Sequence, residues 1–528
     1  MPVRNLADAD EPVTTIRAQI CIVGAGMAAF ALALKLGGAG RKIVVLESGA
    51  VDGDEATDTD LNRVFNSDGP YSRAETNRAR GLGGTSRLWG GRLLPISDFQ
   101  MKQRTFLGEP GWPVDPQGIE RFGRDVEEIF GLAHGTYEND AFANEPGHFR
   151  TSGADIRNRW AKISRFGRRS LALSWKRMAT QASVEILTNA TVTRLDLDAD
   201  TQRVDSVCAV APNGKTVVVA AEHTVLASGA IECARLLLWT RQRLNRPAFG
   251  GPALGRYFQD HLRVEAGTIK RLDGPSSDAS LNYRMRAGTL RGLHLELSDS
   301  AQEADGVYGA YAYPQMDLIS QSLNPLRELA KERQTGRGAD PGTILQLARQ
   351  TVPVARSLVG LYLKGYLPSP LQVDFRLMVC VEQQPNFDNR IELSDSLDRY
   401  GVPQAKLVWG ASEQDGRAFK SLVSRLDAFW VRSGLDRITA LKWHEATEGS
   451  AASIAQLFRD AAHPSGLTRM GLSRAGSVVS SDLKLHDSPN LSIVSGSLFP
   501  TAGSANPTLT LMKLAMKHAE YLVKAHKL

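Results

Sequence analysis

Histidines are the residues of this chain best suited to proton transfer, and one of them, His463, opens an unusual turn. The stretch HPSGLTRMG (463–471) continues from it with a proline, a glycine and an arginine. A neutral imidazole, whose ordinary pKa is about 6.5, accepts a proton readily near neutral pH. A single histidine beside a turn is more often structural, so His463 by itself leaves the chemistry open.

Nucleophilic and metal chemistry are less well supported by the residue types. Ser465 and Ser504 lack the glycine-flanked elbow that exposes the catalytic serine of many hydrolases. The cysteines are far apart and form no Cys-x-x-Cys pair, so we expect reduced thiols and no metal site. They are Cys21, Cys208, Cys233 and Cys380.

The composition is that of an ordinary globular protein, with 42% hydrophobic and 23% charged residues. Its 528 residues predict two or three structural units rather than one core. The net charge of +6 is small for this length, and the scattered basic residues form no nucleic-acid-binding motif. The first residues lack an apolar signal core and no apolar run approaches about 18 residues, so we expect a cytoplasmic protein without a membrane span.

A strand, a glycine turn and a helix near the N-terminus predict a dinucleotide-binding unit. Residues 19–49 read QICIVGAGMAAFALALKLGGAGRKIVVLESG, in which Gly24-x-Gly26-x-x-Ala29 separates a short apolar strand from an alanine-rich helix. Gly24 permits the tight turn, Gly26 lets the backbone approach a pyrophosphate, and Ala29 lets the helix pack on the strand. Glu47 ends the next strand, where a carboxylate accepts hydrogen bonds from ribose hydroxyls. This carboxylate argues against NADP and leaves NAD and FAD open.

A second glycine-rich segment favours FAD over a nicotinamide nucleotide. Residues 78–94 read RARGLGGTSRLWGGRLL. Backbone without bulky side chains can lie along an extended ligand and offer several N–H donors. Leu88 and Trp89 within the segment indicate burial rather than a flexible surface loop. An extended flavin dinucleotide needs such a second platform, whereas a nicotinamide enzyme has no obvious use for it.

Together these segments resemble the glucose–methanol–choline (GMC) family of FAD-dependent oxidoreductases. The resemblance continues along the chain in TNATVTRLDLD (188–198), HTVLASGAIECARLLL (223–238), GRYFQDHL (255–262), PNFDNRIELSDSLDRYGVPQAKLVW (385–409) and HPSGLTRMG. The matching segments keep a fixed order over roughly half of the chain.

The resemblance implies which residues contact FAD. Val192 is expected near the adenine, and Ala227 to Gly229 are expected to pass close to the dinucleotide. The complete predicted set is Gly24, Gly26, Met27, Ala28, Glu47, Ser48, Arg80, Gly83, Gly84, Thr85, Ser86, Trp89, Gly90, Gly91, Val192, Ala227, Ser228, Gly229, Ser497, Asn506, Pro507 and Thr508.

The C-terminal segment contains a predicted helix and, through the resemblance, a catalytic pair. Pro507 stands where proline is best tolerated, at the first position of a helix with a buried apolar surface. Similar enzymes have a histidine in the segment matching HPSGLTRMG and a histidine or asparagine in the segment matching ANPTLT. The resemblance therefore implies His463 as the proton acceptor and Asn506 as the amide that orients the substrate hydroxyl. It also implies a helix N-terminus directed at the flavin, where it favours negative charge.

Two positions depart from the pattern of the family's sugar oxidases. Some of those enzymes tether FAD covalently through a histidine just before the tryptophan of this motif, where this chain has Leu88. Leucine cannot form that link, so we expect noncovalent FAD. The residue after the tryptophan, often polar in those oxidases, is Gly90. This difference favours an electron acceptor other than oxygen, although the acceptor itself is not predicted.

The resemblance implies an α/β fold with a discontinuous Rossmann-like FAD-binding domain and an α+β substrate domain that contains a large antiparallel sheet. We expect the FAD-binding domain in residues 1–98, 171–262 and 446–528. Residues 99–170 are expected to cover FAD and to contribute to the substrate domain, which occupies 263–445.

The sequence also carries expectations for other segments and for the remaining histidines. A helical insertion at about 322–370 is rich in Lys and Arg and is interpreted as a lid or docking face, or, preferably, as packed helices with solvated faces. The N-terminal ~18 residues are expected to form a mobile arm. His261 is expected to be structural at the domain junction, His444 is the weaker pocket candidate, and surface positions are expected for His486, His518 and His526.

These observations favour an FAD-dependent oxidoreductase that oxidises a CH–OH group. The His/Asn pair resembles that of pyranose oxidases, which favours a sugar, glycoside or sugar-like alcohol as substrate. The alternatives are a non-redox lyase on the same FAD scaffold, a GMC alcohol or sterol dehydrogenase with a non-sugar substrate, and a nicotinamide-dependent dehydrogenase. The oligomeric state is not predicted.

Overall fold

The computed structural model describes residues 3–53, 60–67, 71, 74–142, 155–316, 328–329, 332, 340–349, 351–369 and 373–525. Its strands are β1 Val3–Asn5, β2 Val13–Val23, β3 Ile43–Leu46, β4 Val64–Ser67, β5 Arg92–Leu93, β6 Ile156–Ile163, β7 Val184–Thr188, β8 Thr191–Leu197, β9 Val204–Val210, β10 Thr216–Leu226, β11 His261–Arg271, β12 Arg284–Arg286, β13 Thr289–Leu297, β14 Ala310–Met316, β15 Phe375–Glu382, β16 Arg390–Leu397, β17 Pro403–Val408, β18 Thr439–Trp443, β19 Arg459–Asp460 and β20 Leu491–Ile493.

The α-helices are interspersed with these strands along the chain. They are Met27–Gly38, Asp98–Met101, Pro116–Glu120, Gly123–Ile129, Phe166–Arg169, Ala172–Met178, Ala230–Arg243, Gly274–Leu281, Asp299–Asp305, Pro341–Arg349, Thr351–Leu363, Glu413–Arg432, Ala451–Ala455 and Thr508–Ala525. Short 3₁₀ turns cover Leu6–Asp8, Gly84–Arg87, Thr105–Leu107, Asn139–Phe142, Leu435–Arg437, Glu445–Thr447 and Gly496–Leu498. Among the described residues, no helix is long and apolar enough to cross a bilayer.

The first sheet is the predicted nucleotide-binding sheet. It has eight strands in the order β1-β7-β3-β2-β10-β9-β8, with β20 also paired to β10. All neighbours from β1 to β10 are parallel, and β8 and β9 are antiparallel additions at one edge. The core strand residues Ile20 to Val23 are buried because helices cover a parallel sheet on both faces. The expectation of a mobile N-terminal arm is wrong, since Val3–Asn5 pairs with β7 and β2 already begins at Val13.

The second sheet is antiparallel and forms the predicted substrate domain. It has nine strands in the order β18-β11-β15-β14-β13-β6-β5, with β12 on β13 and β19 on β11. A third, three-stranded sheet joins β16, β17 and β4. The prediction of a Rossmann-like domain plus a substrate domain with a large antiparallel sheet is confirmed. The domain boundaries remain a prediction, and β4 and β5, from residues 1–98, pair within the third and second sheets.

The two faces of the large sheet differ in polarity although both are buried. One face contributes apolar side chains such as Leu262, Leu295 and Val379 to a core with the helix Glu413–Arg432. This helix starts with a capping box, in which Ser412 and Asp415 bind each other's backbone N–H groups. The opposite face includes His261, paired in register with the carboxylate-bearing Glu382 of β15. Because side chains alternate along a strand, one sheet has both a hydrophobic core face and a face suited to chemistry.

Candidate active site

Two histidines meet at the polar face of the large sheet. His261 begins β11 and is only 1% exposed, and its Nδ1 lies 2.8 Å from Nδ1 of the half-buried His463. The other ring nitrogen of His261, Nε2, lies 2.6 Å from the carbonyl oxygen of Gly503. The expectation that His261 packs structurally at a domain junction therefore missed its direct contact with the candidate base.

The hydrogen-bond partners assign the proton positions on both rings. A carbonyl oxygen can only accept, so His261 donates from Nε2 and, when neutral, accepts at Nδ1. His463 must then donate from Nδ1, which leaves the lone pair on its Nε2. Burial lowers the pKa of His261. Burial, together with the neighbouring His261 and Arg263, holds the pKa of His463 well below its usual range. The lowered pKa values favour the neutral form of both rings, so Nε2 of His463 carries a lone pair that can accept a proton.

Asn506 lies beside that lone pair. Its amide Nδ2 is 3.4 Å from Nε2 of His463, a long contact in which the amide donates. The amide oxygen Oδ1 is buried and has no hydrogen-bond partner among the described residues. A buried, unsatisfied acceptor beside a basic nitrogen whose only hydrogen bond within the described part of the chain is this long one is suited to receive a ligand hydroxyl. The structure thus brings together the two predicted catalytic residues, which are 43 positions apart in the chain.

Asp260 fixes the backbone of this cluster. Its carboxylate, 0% exposed, accepts the hydroxyl of Tyr71 at 2.6 Å and the backbone N–H groups of His261 at 2.6 Å, Ala461 at 3.3 Å and His463 at 3.0 Å. Burial raises the pKa of this carboxyl to about 7, although these hydrogen bonds oppose the shift. Asp260 was not predicted, and its one sequence signal was its place in GRYFQDHL next to His261.

The loop containing His463 is held against the start of β11 by its backbone. Ser465 and Gln259 exchange backbone hydrogen bonds of 2.9 and 3.0 Å. Gly466 has a φ of +81°, and a Cβ there would lie 1.8 Å from the carbonyl oxygen of Tyr257. Only glycine allows this approach, so the turn in HPSG presses the histidine segment onto the strand.

A buried ion pair supports the Gly503 carbonyl from behind. The guanidinium of Arg104 donates two hydrogen bonds, of 2.9 and 2.7 Å, to the carboxylate of Glu382 in a bidentate salt bridge. The side chains of Glu382 and Arg104 are 0% and 1% exposed. Glu382 also accepts the backbone N–H of Gly503 at 3.1 Å and that of Gly309 at 3.0 Å. Gly503 is therefore fixed through its N–H by Glu382 while its carbonyl orients His261. Such bidentate pairs position groups firmly.

The rest of the polar sheet face presents arginines and aromatic rings. Arg92 lies 2.9 Å from Nε2 of His294 and over the ring of Tyr313 at 5.3 Å. Arg263 stands two residues along β11 from His261. His294 stacks on Tyr311 with ring centroids 4.3 Å apart. Among the described residues, neither Arg92 nor Arg263 has a carboxylate partner, so this wall is cationic and rich in hydrogen-bond donors.

Spacing alone would also allow a metal ion among Asp260, His261 and His463, whose ligand atoms lie within 4.8 Å of one another. However, the two histidine nitrogens that face each other are already hydrogen-bonded, and the carboxylate is filled by N–H and O–H donors. We therefore interpret the cluster as a hydrogen-bond network.

The glycine turn has the geometry expected of a dinucleotide site. Gly24 has a φ of +99°, and a Cβ there would lie 2.9 Å from the carbonyl oxygen of Ala227. A Cβ on Gly84 would lie 3.1 Å from Cα of Gly26, so the two glycine-rich segments touch. Met27 and Ala28 begin the helix whose free N–H groups follow this turn. This glycine turn, called the cradle, places backbone N–H groups without bulky side chains at a helix N-terminus, an arrangement that fits the pyrophosphate of FAD.

Glu47 connects the two glycine segments, a role that was not predicted. Its carboxylate, 5% exposed, accepts the backbone N–H groups of Ala25 at 2.7 Å, Gly49 at 3.0 Å and Gly81 at 2.9 Å. It also accepts the hydroxyl of Ser48 at 3.3 Å. These contacts stabilise the cradle, and binding of ribose by Glu47 remains a prediction.

The second glycine segment is only partly buried. Trp89 is half-buried and donates to the carbonyl of Arg169 at 2.9 Å, and Ser86 is buried. Leu88, however, is 40% exposed, so the expectation that it is buried is wrong. Gly90 is exposed, and a Cβ there would meet no atom within 4 Å.

The remaining predicted FAD contacts are distributed around the same cradle. Arg80 donates to Ser48 at 2.9 Å, Gly229 precedes the helix Ala230–Arg243, and Ser497 is buried beside Thr468. The others are Gly83 and Thr85 at the 3₁₀ turn, Gly91 before β5, Val192 in β8, Ala227 and Ser228 after β10, and Pro507 and Thr508 at the last helix.

The start of the last helix and the position of His518 differ from their predictions. The helix begins at Thr508, and the carbonyl of Pro507 accepts its first hydrogen bond from Leu511 at 2.9 Å. Pro507 therefore caps the helix instead of occupying its first turn. His518 is 2% exposed, so its predicted surface position is wrong, because it lies on the buried face of this helix. His526 lies outside the described residues.

Comparison with known families gives two matches to the same description. Family models of GMC oxidoreductases match residues 143–263 and 385–515. Paromamine 6'-oxidase from Streptomyces fradiae is 28% identical over 160 residues, which are 30% of this chain and 27% of that protein. A C-glycoside 3-oxidase from Microbacterium trichothecenolyticum is 32% identical over 25% of this chain and 24% of its own length. The matched segments thus span about a quarter of these relatives.

Solved structures share the fold over nearly the whole chain. Pyridoxine 4-oxidase from Mesorbium loti is 17% identical with a TM-score of 0.56, covering 96% of this chain and 99% of that chain. A formate oxidase is 15% identical with a TM-score of 0.59, covering 97% and 99%. Because the N-terminal and C-terminal family models of GMC oxidoreductases match in separate segments, the chain belongs to the GMC oxidoreductase family.

Proposed function

We propose that this protein is an FAD-dependent oxidoreductase that oxidises a CH–OH group of a sugar, glycoside or sugar-like alcohol to a carbonyl. The observation that carries the proposal is the orientation of His463, whose Nε2 lone pair lies beside the amide of Asn506. Similarity to paromamine 6'-oxidase and to C-glycoside 3-oxidase supports the substrate class.

The residues of the chain have separate tasks in this reaction. Asn506 orients the substrate hydroxyl, Nε2 of His463 takes its proton, and the carbon–oxygen bond becomes a carbonyl as hydride leaves the carbon. His261 keeps the Nδ1 of His463 in its donating role, so the proton enters at Nε2. When bound, FAD supplies the acceptor of that hydride.

FAD would be held by the Gly24–Gly26 turn, the glycine-rich segment beyond Arg80 and the N-terminus of the last helix. Leu88 occupies the position of the family's tethering histidine, which supports noncovalent attachment. Denaturing the purified protein should then release intact FAD into the supernatant.

An anaerobic screen tests the reaction directly. The holoenzyme is mixed with sugars, glycosides and simple alcohols without oxygen, and the flavin absorbance is followed. Bleaching by a sugar or glycoside is the expected outcome. A substrate that is converted while the flavin stays oxidised would contradict an oxidoreductase and favour a lyase on the same scaffold.

A further inference from the structure

An exposed apolar stripe lies on the helical insertion of the substrate domain. Seven of the large apolar side chains exposed in the described chain fall within residues 344–363. They are Ile344, Leu345, Val352, Leu358, Val359, Tyr362 and Leu363. The strongest exposures are 78% for Val352, 70% for Tyr362 and 81% for Leu363. A concentration of this kind marks an interaction surface in a globular fold.

Three residues of the stripe share one side of a helix. Val352, Val359 and Leu363 are seven and four residues apart in the helix Thr351–Leu363, a spacing that places them on the same side. The opposite side is anchored, because Gly360 and Leu361 are buried and a Cβ on Gly360 would lie 2.3 Å from Pro368. The apolar side chains are therefore presented outward by a helix that is held to the protein from behind.

Backbone hydrogen bonds tie the end of this helix to the substrate domain. The N–H of Leu367 donates to the carbonyl of Tyr283 at 2.9 Å, and the N–H of Met285 donates to the carbonyl of Gly365 at 2.8 Å. The stripe thus has a fixed connection to β12 of the large sheet.

The charges of the same segment are of one sign. Residues 341–364 contain Arg349, Arg356 and Lys364 and no aspartate or glutamate. Arg349 and Lys364 are exposed. Cations beside an outward apolar stripe complement an anionic lipid surface, where the apolar side enters the headgroup boundary and the cations contact phosphates. A two-fold contact between copies of the chain would place both sets of cations within one interface, which opposes that occupant.

We propose that the helices Pro341–Arg349 and Thr351–Leu363, together called the insertion face, dock this protein on an anionic membrane surface. The helices lie in the interface, since none of the described helices can span a bilayer. This inference does not depend on the proposed oxidation, because lipid binding is measured without turnover.

Vesicle flotation of the holoenzyme tests the proposal. Vesicles of phosphatidylcholine are compared with vesicles that also contain phosphatidylglycerol, and the protein is expected to float only with the anionic vesicles. The double variant V359D/L363D should abolish flotation. The matched control L472D should not, because Leu472, which is 89% exposed, lies outside the insertion face. The variant R349Q/K364Q should weaken binding on the order of 10- to 30-fold, as expected from the loss of two lipid-facing cations.

Three results would overturn membrane docking. The first is wild-type protein that stays unbound with anionic vesicles, and the second is V359D/L363D that floats as well as wild type. The third is a dimer, seen by light scattering in the absence of lipid, that V359D/L363D converts to a monomer while no form binds vesicles. That outcome would assign the insertion face to a second copy of the chain.

Discussion

The glycine turn at Gly24 and the histidine cluster at His463 are built in opposite ways. The turn consists of consecutive residues in one strand–turn–helix unit, and its main requirement is a φ of +99° at Gly24. The cluster joins His463 to His261 across 202 residues and to the backbone of Gly503. A backbone requirement can be encoded locally, whereas the direction of a lone pair depends on partners that only folding brings together.

Removing the base should have the largest effect. H463A should retain FAD and slow its reduction by substrate by ~10²–10⁴-fold, the usual magnitude for loss of a general base. Stopped-flow absorbance under anaerobic conditions measures this rate. H486A is a matched control, since His486 hydrogen-bonds Ser477 away from the cluster. Unchanged reduction in H463A would remove His463 from the proposed role.

Removing only the partner of the base separates positioning from chemistry. H261A should slow flavin reduction by about 10- to 100-fold, because Nδ1 of His463 loses the acceptor that fixes its proton. H261Q should recover part of this rate, since its amide oxygen can accept the same N–H. H261A should also move the acid limb of kcat/KM to higher pH, because the neighbouring His261 lowers the pKa of His463. A rate loss with an unmoved pH profile and no recovery in H261Q would indicate a purely structural histidine.

Substitutions in the turn test its local character. G24A and G40A both force alanine into a positive φ, at +99° and +71°, but a Cβ meets backbone atoms only at Gly24. We expect G24A to weaken FAD retention by about 10-fold or more, from the added strain of a close contact. G40A should lower the free energy of unfolding by about 1 kcal/mol and keep FAD. Flavin content after gel filtration and urea unfolding distinguish the two, and equal flavin loss would contradict the cradle.

Removing the positive charge of Arg263 from the polar face of the large sheet should have the smallest effect on the reaction. The base must be neutral to act, and its pKa is lowered in part by Arg263, so wild-type kcat/KM should stay level as pH falls through 6.5. R263Q removes a positive charge, which raises the pKa of His463 and moves the acid limb to higher pH by on the order of 0.5–1 pH unit. R417Q is the control, because Arg417 is exposed on the helix behind the other face of the sheet. An acid limb that is identical in R263Q would remove Arg263 from the electrostatics of the site.

The same contrast explains which predictions were confirmed. The strand, turn and helix from Ile20 to Gly38 follow from hydrophobic runs, glycine conformations and alanine content, which act over a few residues. The large antiparallel sheet and the family were predicted through motifs that keep their order along the chain. The exposures of Leu88 and His518 were predicted wrongly for a different reason. The exposure of a side chain depends on which parts of the folded chain pack against it and not on its neighbours in sequence.

The amino-acid sequence by itself determined the strand–turn–helix unit, because that unit depends on residue types at fixed local spacing. The ordered motifs also gave the family and, through the resemblance, the candidates His463 and Asn506. The tertiary structure alone decided that His261 faces His463, that the carbonyl of Gly503 sets the proton on His261, and that Asp260 and Glu382 hold the backbone around them. The physical reason is that a hydrogen bond specifies a donor, an acceptor and a direction. None of these is defined until strands from distant parts of the chain are paired.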